Sequence, residues 1–239
     1  MPEPSAPPIA TVLFEDDELV AVAKPAGVTV IPGRDEPPEA SLRHRLEAAR
    51  GEPLWVVHRI DKETSGLVVL ARTAAAHRWL NDRFAARQVR KRYLAFAAGD
   101  LPGERTVDLA LVEARRGKAR PAGPGEAGKP AVTHLRALQR WRRGDLAVTL
   151  CEARPVTGRH HQIRVHLRSL EAPIVFDPQY GKRTLRGDFD GAPCGRLALH
   201  AEALELTRPD GQPLALTAPW PDDLLALRAW LDAQWEPVS

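Results

Sequence analysis

Residues 131–153 read AVTHLRALQRWRRGDLAVTLCEA. Ala131–Leu138 and Leu146–Ala153 lie on either side of Arg142-Arg143-Gly144-Asp145, a polar stretch containing a glycine, and are predicted to pair as a hairpin. The same pattern recurs further out. Leu197–Leu206 and Leu214–Thr217 flank Pro209-Asp210-Gly211, a second hairpin signal. Towards the N-terminus, Ile9–Phe14 and Leu19–Ala23 read as strands joined by the acidic turn Glu15-Asp16-Asp17. Lys24-Pro25-Ala26-Gly27 is a turn, after which Val28–Ile31 runs extended. Leu54–Val57 and Leu67–Ala71 read as buried strands, and Tyr93–Ala97 as another strand. Gly117–Lys129, rich in Gly, Pro and Ala, reads as a flexible surface loop.

Helical spacing is sparser. Ser41 is placed to cap a helix through Ala49, ended by Gly51. Ala74–Arg87 puts Trp79, Leu80 and Phe84 on one side, and Gln162–Leu170 is a third helix. Pro221 opens a closing helix, Asp222–Gln234, with acids beside its N-terminal dipole. Strands and helices do not alternate regularly, and hairpins dominate. The expected fold is therefore α+β: a largely antiparallel, mixed sheet flanked by helices. Residues 1–8 are expected to be a disordered tail, and residues 9–239 one catalytic domain.

Between the two apolar strands 54–57 and 67–71 lies a polar loop, His58-Arg59-Ile60-Asp61-Lys62-Glu63-Thr64-Ser65-Gly66. An acid on a loop between buried strands is held rigidly while its tip stays exposed, which suits a catalytic group. The competing reading is a turn in which Asp61 and Thr64 cap backbone N–H groups.

Composition narrows the function classes. The chain has 239 residues, 44% hydrophobic and 27% charged, an ordinary globular balance. No apolar run approaches the ~20 residues of a membrane span, and Met1–Pro8 holds no apolar signal segment. A cytoplasmic protein without membrane association is expected. Cys151 and Cys194 form no CxxC pair, so neither a disulfide framework nor a zinc cluster is indicated. The net charge of +3 does not by itself argue for nucleic acid. The positive charge is clustered, however, at Arg87, Arg90, Lys91 and Arg92; at Arg136, Arg140, Arg142 and Arg143; and at Arg115, Arg116, Lys118 and Arg120. Guanidinium groups bind phosphate and stack on bases. The composition, rich in Ala, Arg and Pro with one Asn, gives the same clusters a purely genomic explanation.

The 58–66 loop resembles the H-R-L-D-x-x-T-S-G signature of the RluA-type RNA pseudouridine synthases, with Ile60 where Leu is usual. Further blocks are similar to that family and fall in its order. Phe14–Leu19 with Lys24-Pro25-Ala26-Gly27 resembles its opening strands and K-P-x-G turn. Val89–Ala95 resembles its basic strand, and Gly128–Thr133 its G-K-x-A-x-T. Thr157–Leu167 resembles T-G-R-T-H-Q-I-R-V-H, and Leu199-His200-Ala201 the late L-H-A strand.

The resemblance implies an isomerase that converts uridine to pseudouridine in rRNA or tRNA without cofactor or metal. It makes Asp61 the catalytic nucleophile, Tyr93 the aromatic that stacks on the target uracil, and Arg164 the partner of the catalytic carboxylate. Arg59 matches the residue that fills the gap left by the flipped base. His58, Thr64, Arg90, Lys91, Arg159 and His161 are assigned to RNA binding. Flipping a uridine costs a few kcal/mol, which inserted and stacked side chains offset. A guanidinium within ~4–6 Å keeps a partly buried carboxylate ionised. The chain departs from the family at His160, where Thr or Ser is usual, and at Phe176, where P-I-x-G-D has Gly. His160, His161 and His166 match no zinc helix motif. With only about eight residues before the first strand, the catalytic domain itself is expected to hold the RNA, as in compact relatives, and a monomer is expected. The rival readings are an RNA-binding or ribosome-assembly factor without turnover, and a hydrolase, which would need two carboxylates ~5–10 Å apart.

Overall fold

The computed structural model describes residues 10–33, 36–114, 117–181 and 187–238. The chain divides into two compact units. The first comprises residues 1–89 and 205–219, and the second residues 90–204 and 220–239.

In the first unit, β1 (Thr11–Glu15), β2 (Leu19–Lys24) and β4 (Ser65–Ala71) form an antiparallel sheet, and β3 (Trp55–Val56) also pairs with β4. Every residue of β4 is buried. That is why Leu67–Ala71 read as a continuous apolar run rather than an alternating one. The preceding strand differs from the expectation. Only Leu54 of Leu54–Val57 is buried, and β3 is two residues long. Helix α1 (Leu42–Arg50) begins as predicted, with the Ser41 hydroxyl accepting the His44 N–H. It ends at Gly51, whose φ of 68° favours a residue without Cβ. Helix α2 (Ala74–Ala85) is capped by Thr73 and buries Ala76 and Leu80. It stops before Arg87, which lies at φ 58°.

The second unit is built on the 131–153 hairpin. Its strands are β9 (Val132–Arg143) and β10 (Leu146–Pro155), longer than the sequence runs suggested. The reversal needs only Gly144-Asp145; Arg142 and Arg143 remain in the ladder, paired with Ala147 and Leu146. Strand β5 (Arg90–Ala97) pairs with β10, and β6 (Glu104–Asp108) with β9. The C-terminal β13 (Glu236–Val238) also pairs with β9. Strand β11 (Leu199–Thr207) begins in this unit, and β12 (Pro213–Thr217) pairs with it.

The segment expected to be a flexible loop contains order. Lys118–Pro121 is strand β8, paired antiparallel with β7 (Leu111–Ala114). Arg120 and Glu126 then close the following turn through an ion pair of 2.6 Å. Helix α3 (Gln162–Ser169) and helix α4 (Asp222–Gln234) complete the unit. Leu224, Leu227 and Leu231 of α4 pack into a core with Phe96, Trp141, Leu150 and Leu167. The α+β reading with a largely antiparallel sheet therefore holds.

Candidate active site

In the first unit, residues 57–64 connect β3 to β4, and the geometry of this loop is set largely by main-chain contacts. Ile60 is buried (7% exposed), with the exposed Arg59 on one side and the half-buried Asp61 on the other. This in-out alternation seats the loop and leaves the acid at its rim. The Thr64 N–H donates to the Asp61 carbonyl at 3.1 Å, closing the turn.

Lys24, at the end of β2, is almost wholly buried, and its ammonium donates to the carbonyls of Pro25 (2.8 Å), Val28 (2.7 Å) and Lys62 (3.0 Å). The Gly27 N–H donates to the same Lys62 carbonyl at 2.8 Å, from a backbone at φ 83° that glycine adopts without strain. The Lys-Pro-Ala-Gly turn is thus a clamp on the residue next to Asp61. On the outer side, Lys62 pairs with Glu36 at 2.6 Å. That contact, with hydrogen bonds from the Thr29 hydroxyl and the Gly33 N–H, holds the Glu36 carboxyl down at about 2. His58 Nε2 accepts the Val69 N–H at 2.9 Å, which places the proton of its neutral ring on Nδ1, and the ring stacks on Phe84 at 4.9 Å.

In the second unit, the Thr-Gly-Arg block and helix α3 are held by side chains. The Thr157 hydroxyl donates to Gln162 Oε1 at 2.6 Å and accepts the Val132 N–H at 3.1 Å. Gln162 Oε1 also accepts the Arg159 N–H, while Gln162 Nε2 donates to the Val132 carbonyl and Thr133 Oγ1. His166 Nε2 lies 3.2 Å from the Leu109 carbonyl, which can only accept. His166 Nδ1 therefore accepts from the Thr133 hydroxyl at 2.9 Å. Burial pushes the His166 pKa down, in keeping with this neutral tautomer.

Arg164, 3% exposed, makes a two-pronged contact with Asp177: Nε to Oδ2 at 2.8 Å and Nη2 to Oδ1 at 2.9 Å. Its guanidinium carbon lies 5.0 Å from the centre of the Tyr180 ring. The Tyr180 hydroxyl accepts the Ala119 N–H at 2.8 Å and bonds His161 Nδ1 at 2.9 Å. Tyr93 is half-buried on β5, opposite Ala153 of β10. Lys91, on the same strand, donates to the Thr157 carbonyl at 3.2 Å, and burial lowers its pKa to about 8.

The RNA pseudouridylate synthase family model matches residues 18–169. Ribosomal large subunit pseudouridine synthase D of Xanthomonas campestris pv. campestris is 40% identical over 234 residues, covering 92% of this chain and 69% of that protein. The chain belongs to the RNA pseudouridylate synthase family. Within it, the chain is of the RluA type. The dual-specificity RNA pseudouridine synthase RluA of Escherichia coli K12 is 36% identical over 219 residues, covering 90% of this chain and 95% of that one. Among solved structures, human RNA pseudouridylate synthase domain containing 1 superposes with a TM-score of 0.78 at 26% identity, covering 99% of this chain and 92% of that one.

The predicted site residues differ in exposure. Arg59 and Arg90 are exposed; Asp61, His58, Tyr93, Lys91 and Arg159 are partly buried. Thr64 is 1% exposed, and its hydroxyl is buried without a hydrogen-bond partner among the described residues. The competing reading, in which that hydroxyl caps a backbone N–H, finds no such bond among the described residues; the turn is closed by the Thr64 backbone N–H. His161 is 9% exposed and sits at φ 54° as the residue before α3.

The second arginine cluster is not an open basic patch. Arg136 pairs with Glu152, and Arg140 and Arg142 both pair with Asp100. Arg143 bonds the Asp188 carbonyl and lies over the Trp235 ring. Arg115, Arg116 and Arg34 lie outside the described residues, as do residues 1–9. Among the described residues, no helix is long and apolar enough to cross a membrane.

Two contributors escaped the sequence reading. Lys24 was seen only as part of a turn, and Asp177 only as part of a motif around Phe176. A lysine at the end of an apolar strand was the available signal for the first. For the second it was an acid following an apolar run, with Tyr180-Gly181 close behind.

Proposed function

We propose that this chain isomerises uridine to pseudouridine in a structured loop of rRNA or tRNA, with Asp61 as the catalytic nucleophile. In the net reaction the bond from ribose C1′ to uracil N1 breaks and a bond from C1′ to C5 forms. One proton leaves C5 and one is taken up at N1, so substrate and product contain the same atoms and no cofactor is required. The observation that carries the reading is the mounting of Asp61. It is a half-buried carboxylate on a loop pinned by the buried Lys24 ammonium, by Gly27 and by Ile60. Such a mount holds a nucleophile to one geometry, which is where an enzyme gains most over a free carboxylate.

The other roles follow from exposure and chemistry. Arg59, exposed beside Asp61, fills the gap that the flipped base leaves in the RNA. Tyr93 stacks on the extruded uracil. Arg164, with its Nε–Nη2 edge held on Asp177, completes the catalytic set of Asp61, Tyr93 and Arg164. Arg90, Lys91, Arg159 and His161 meet the RNA around the target, supported by His58 and Thr64 inside the Asp61 loop. Relatives named for the large ribosomal subunit and for tRNA support an rRNA or tRNA loop as substrate. The protein acts as a monomer in the cytoplasm.

The test is product analysis. Unmodified tRNA and large-subunit rRNA transcripts are incubated with wild type or Asp61→Ala, digested, and their nucleosides separated. Pseudouridine is expected from wild type alone. Free uracil in place of pseudouridine would identify a hydrolase, and binding without any product from either transcript set would favour an assembly factor.

A further inference from the structure

The chain departs from its family at Phe176 and His160, and both lie at or beside a left-handed backbone. Phe176 adopts φ 59°, and its ring packs edge-on against Phe189 at 5.5 Å. His160 directly precedes His161, which adopts φ 54°. Residues other than glycine rarely take such angles, and those that do cluster at functional sites. Packing between apolar rings accounts for Phe176; His160 calls for a different explanation.

Neighbouring residues do not ordinarily bring their side chains together. In a strand they point to opposite faces, and on a helix they diverge around the axis. The turn at His161 does bring them together: the rings of His160 and His161 lie 3.7 Å apart between centroids, inclined by 31°. The inner ring is firmly seated. His161 is 9% exposed, its Nδ1 lies 2.9 Å from the Tyr180 hydroxyl, and the Tyr180 ring meets it edge-on at 5.6 Å. Tyr180 is fixed in turn by the Ala119 N–H on its hydroxyl and by the Arg164 guanidinium over its ring. His160, the outer ring of the stack, is half-buried. All of these residues belong to the second unit. Cations adjoin the same turn. Arg159 Nε donates to the Pro130 carbonyl at 3.1 Å, which anchors the side chain and leaves its Nη groups for a phosphate, and Lys91 donates to the Thr157 carbonyl. A flat ring supported from beneath, beside anchored cations, has the chemistry that receives an unstacked RNA base together with its phosphate.

We propose that His160 is a stacking platform for an unpaired base of the RNA, a contact that Thr or Ser at this position cannot make. The proposal rests on the reading of this chain as an enzyme that acts on a structured RNA loop. The test is the affinity of the full chain for tRNA and large-subunit rRNA stem-loops, titrated with wild type, His160→Ala, His160→Phe and His160→Thr. Loss of the ring in His160→Ala or His160→Thr should weaken binding by about 5–150-fold, and His160→Phe, which keeps a ring, should stay within about threefold of wild type. Synthetic stem-loops with one unpaired base removed at a time then identify the partner. At one position, base removal should weaken binding by wild type and His160→Phe but scarcely change binding by His160→Ala, the signature of a coupled pair.

Wild-type affinity in His160→Ala would overturn the proposal. So would His160→Phe binding as weakly as His160→Ala, which would assign the contact to the imidazole nitrogens, or the lack of any coupled base. Pseudouridine is assayed in the same stem-loops. RNA bound by wild type without product would remove the isomerase reading and leave the affinity comparison to decide the stacking role, whereas no binding by wild type would overturn both. If His160→Ala melts well below wild type, His160→Thr, which carries the residue usual in relatives, takes its place in the base-removal series and is judged by the same coupling.

Discussion

The loop carrying Asp61 and the helix carrying Arg164 are fixed by different means. In the first unit the fixing contacts end on main-chain atoms: the carbonyls of Pro25, Val28 and Lys62 for the Lys24 ammonium, and the Lys62 carbonyl again for Gly27. In the second unit side chains do the work, with Thr133, Thr157, Gln162 and His166 bonded into one buried network and Arg164 forked onto Asp177. A loop has no helical or sheet ladder to satisfy its carbonyls, so a buried cation serves several at once. A helix satisfies its own backbone, and what remains to be fixed is the direction of its side chains.

The largest stability effect is expected where a buried charge loses its partner. Arg164→Ala leaves the Asp177 carboxylate buried without its guanidinium and should cost about 3–5 kcal/mol in urea unfolding. A cost below about 1 kcal/mol would mean that the turn N–H groups alone satisfy Asp177. Lys24→Met, of similar length but apolar, should cost about 2–4 kcal/mol, since three carbonyls lose a charged donor. Its signature is regional: amide exchange should accelerate in residues 58–64 and remain near wild type in α3. Equal acceleration in both would erase the distinction between the two regions.

Lys91 gives a pH test of the second unit. Its folded pKa is depressed to about 8 from the ordinary value of 10.5, so the charged form is disfavoured by folding. The destabilisation is complete below about pH 8 and disappears as pH rises towards 10.5. Wild type should therefore gain stability relative to Lys91→Met across that window, when both are melted at each pH. A constant difference would show that Lys91 is solvated. The smallest effect concerns Phe176. Phe176→Gly loses aromatic packing but relieves the left-handed backbone, for a net cost of about 1 kcal/mol. Phe176→Ala should be the less stable of the two, by roughly 0.5–1 kcal/mol, because alanine keeps the strain. The reverse order would deny that strain.

The same contrast explains what the sequence made legible. Helix α1, with Ser41 and Gly51 as its caps, and α4, opening after Pro221, were readable because caps and breakers act locally. Strands β6 and β13 were missed because Glu104–Asp108 is mostly exposed and Glu236–Val238 contains a proline; both exist only through pairing with β9. Strand β8 was hidden in a Gly- and Pro-rich stretch and is defined by its partner β7. Within the site, the Asp61 loop stood out as a polar segment between apolar strands. The links from Lys24 to Lys62 and from Arg164 to Asp177 span 38 and 13 residues, and no local periodicity reports them.

The most direct test of the central claim is single-turnover tritium release from C5-labelled RNA by wild type and Asp61→Asn, with RNA affinity measured in parallel. Asparagine keeps the shape of the side chain and removes only its charge and nucleophilicity. RNA affinity within about twofold of wild type, with release slowed by at least about 10³-fold, is the predicted result. Release at the wild-type rate would contradict the account, because the carboxylate that the first unit holds so firmly would not be the reacting group.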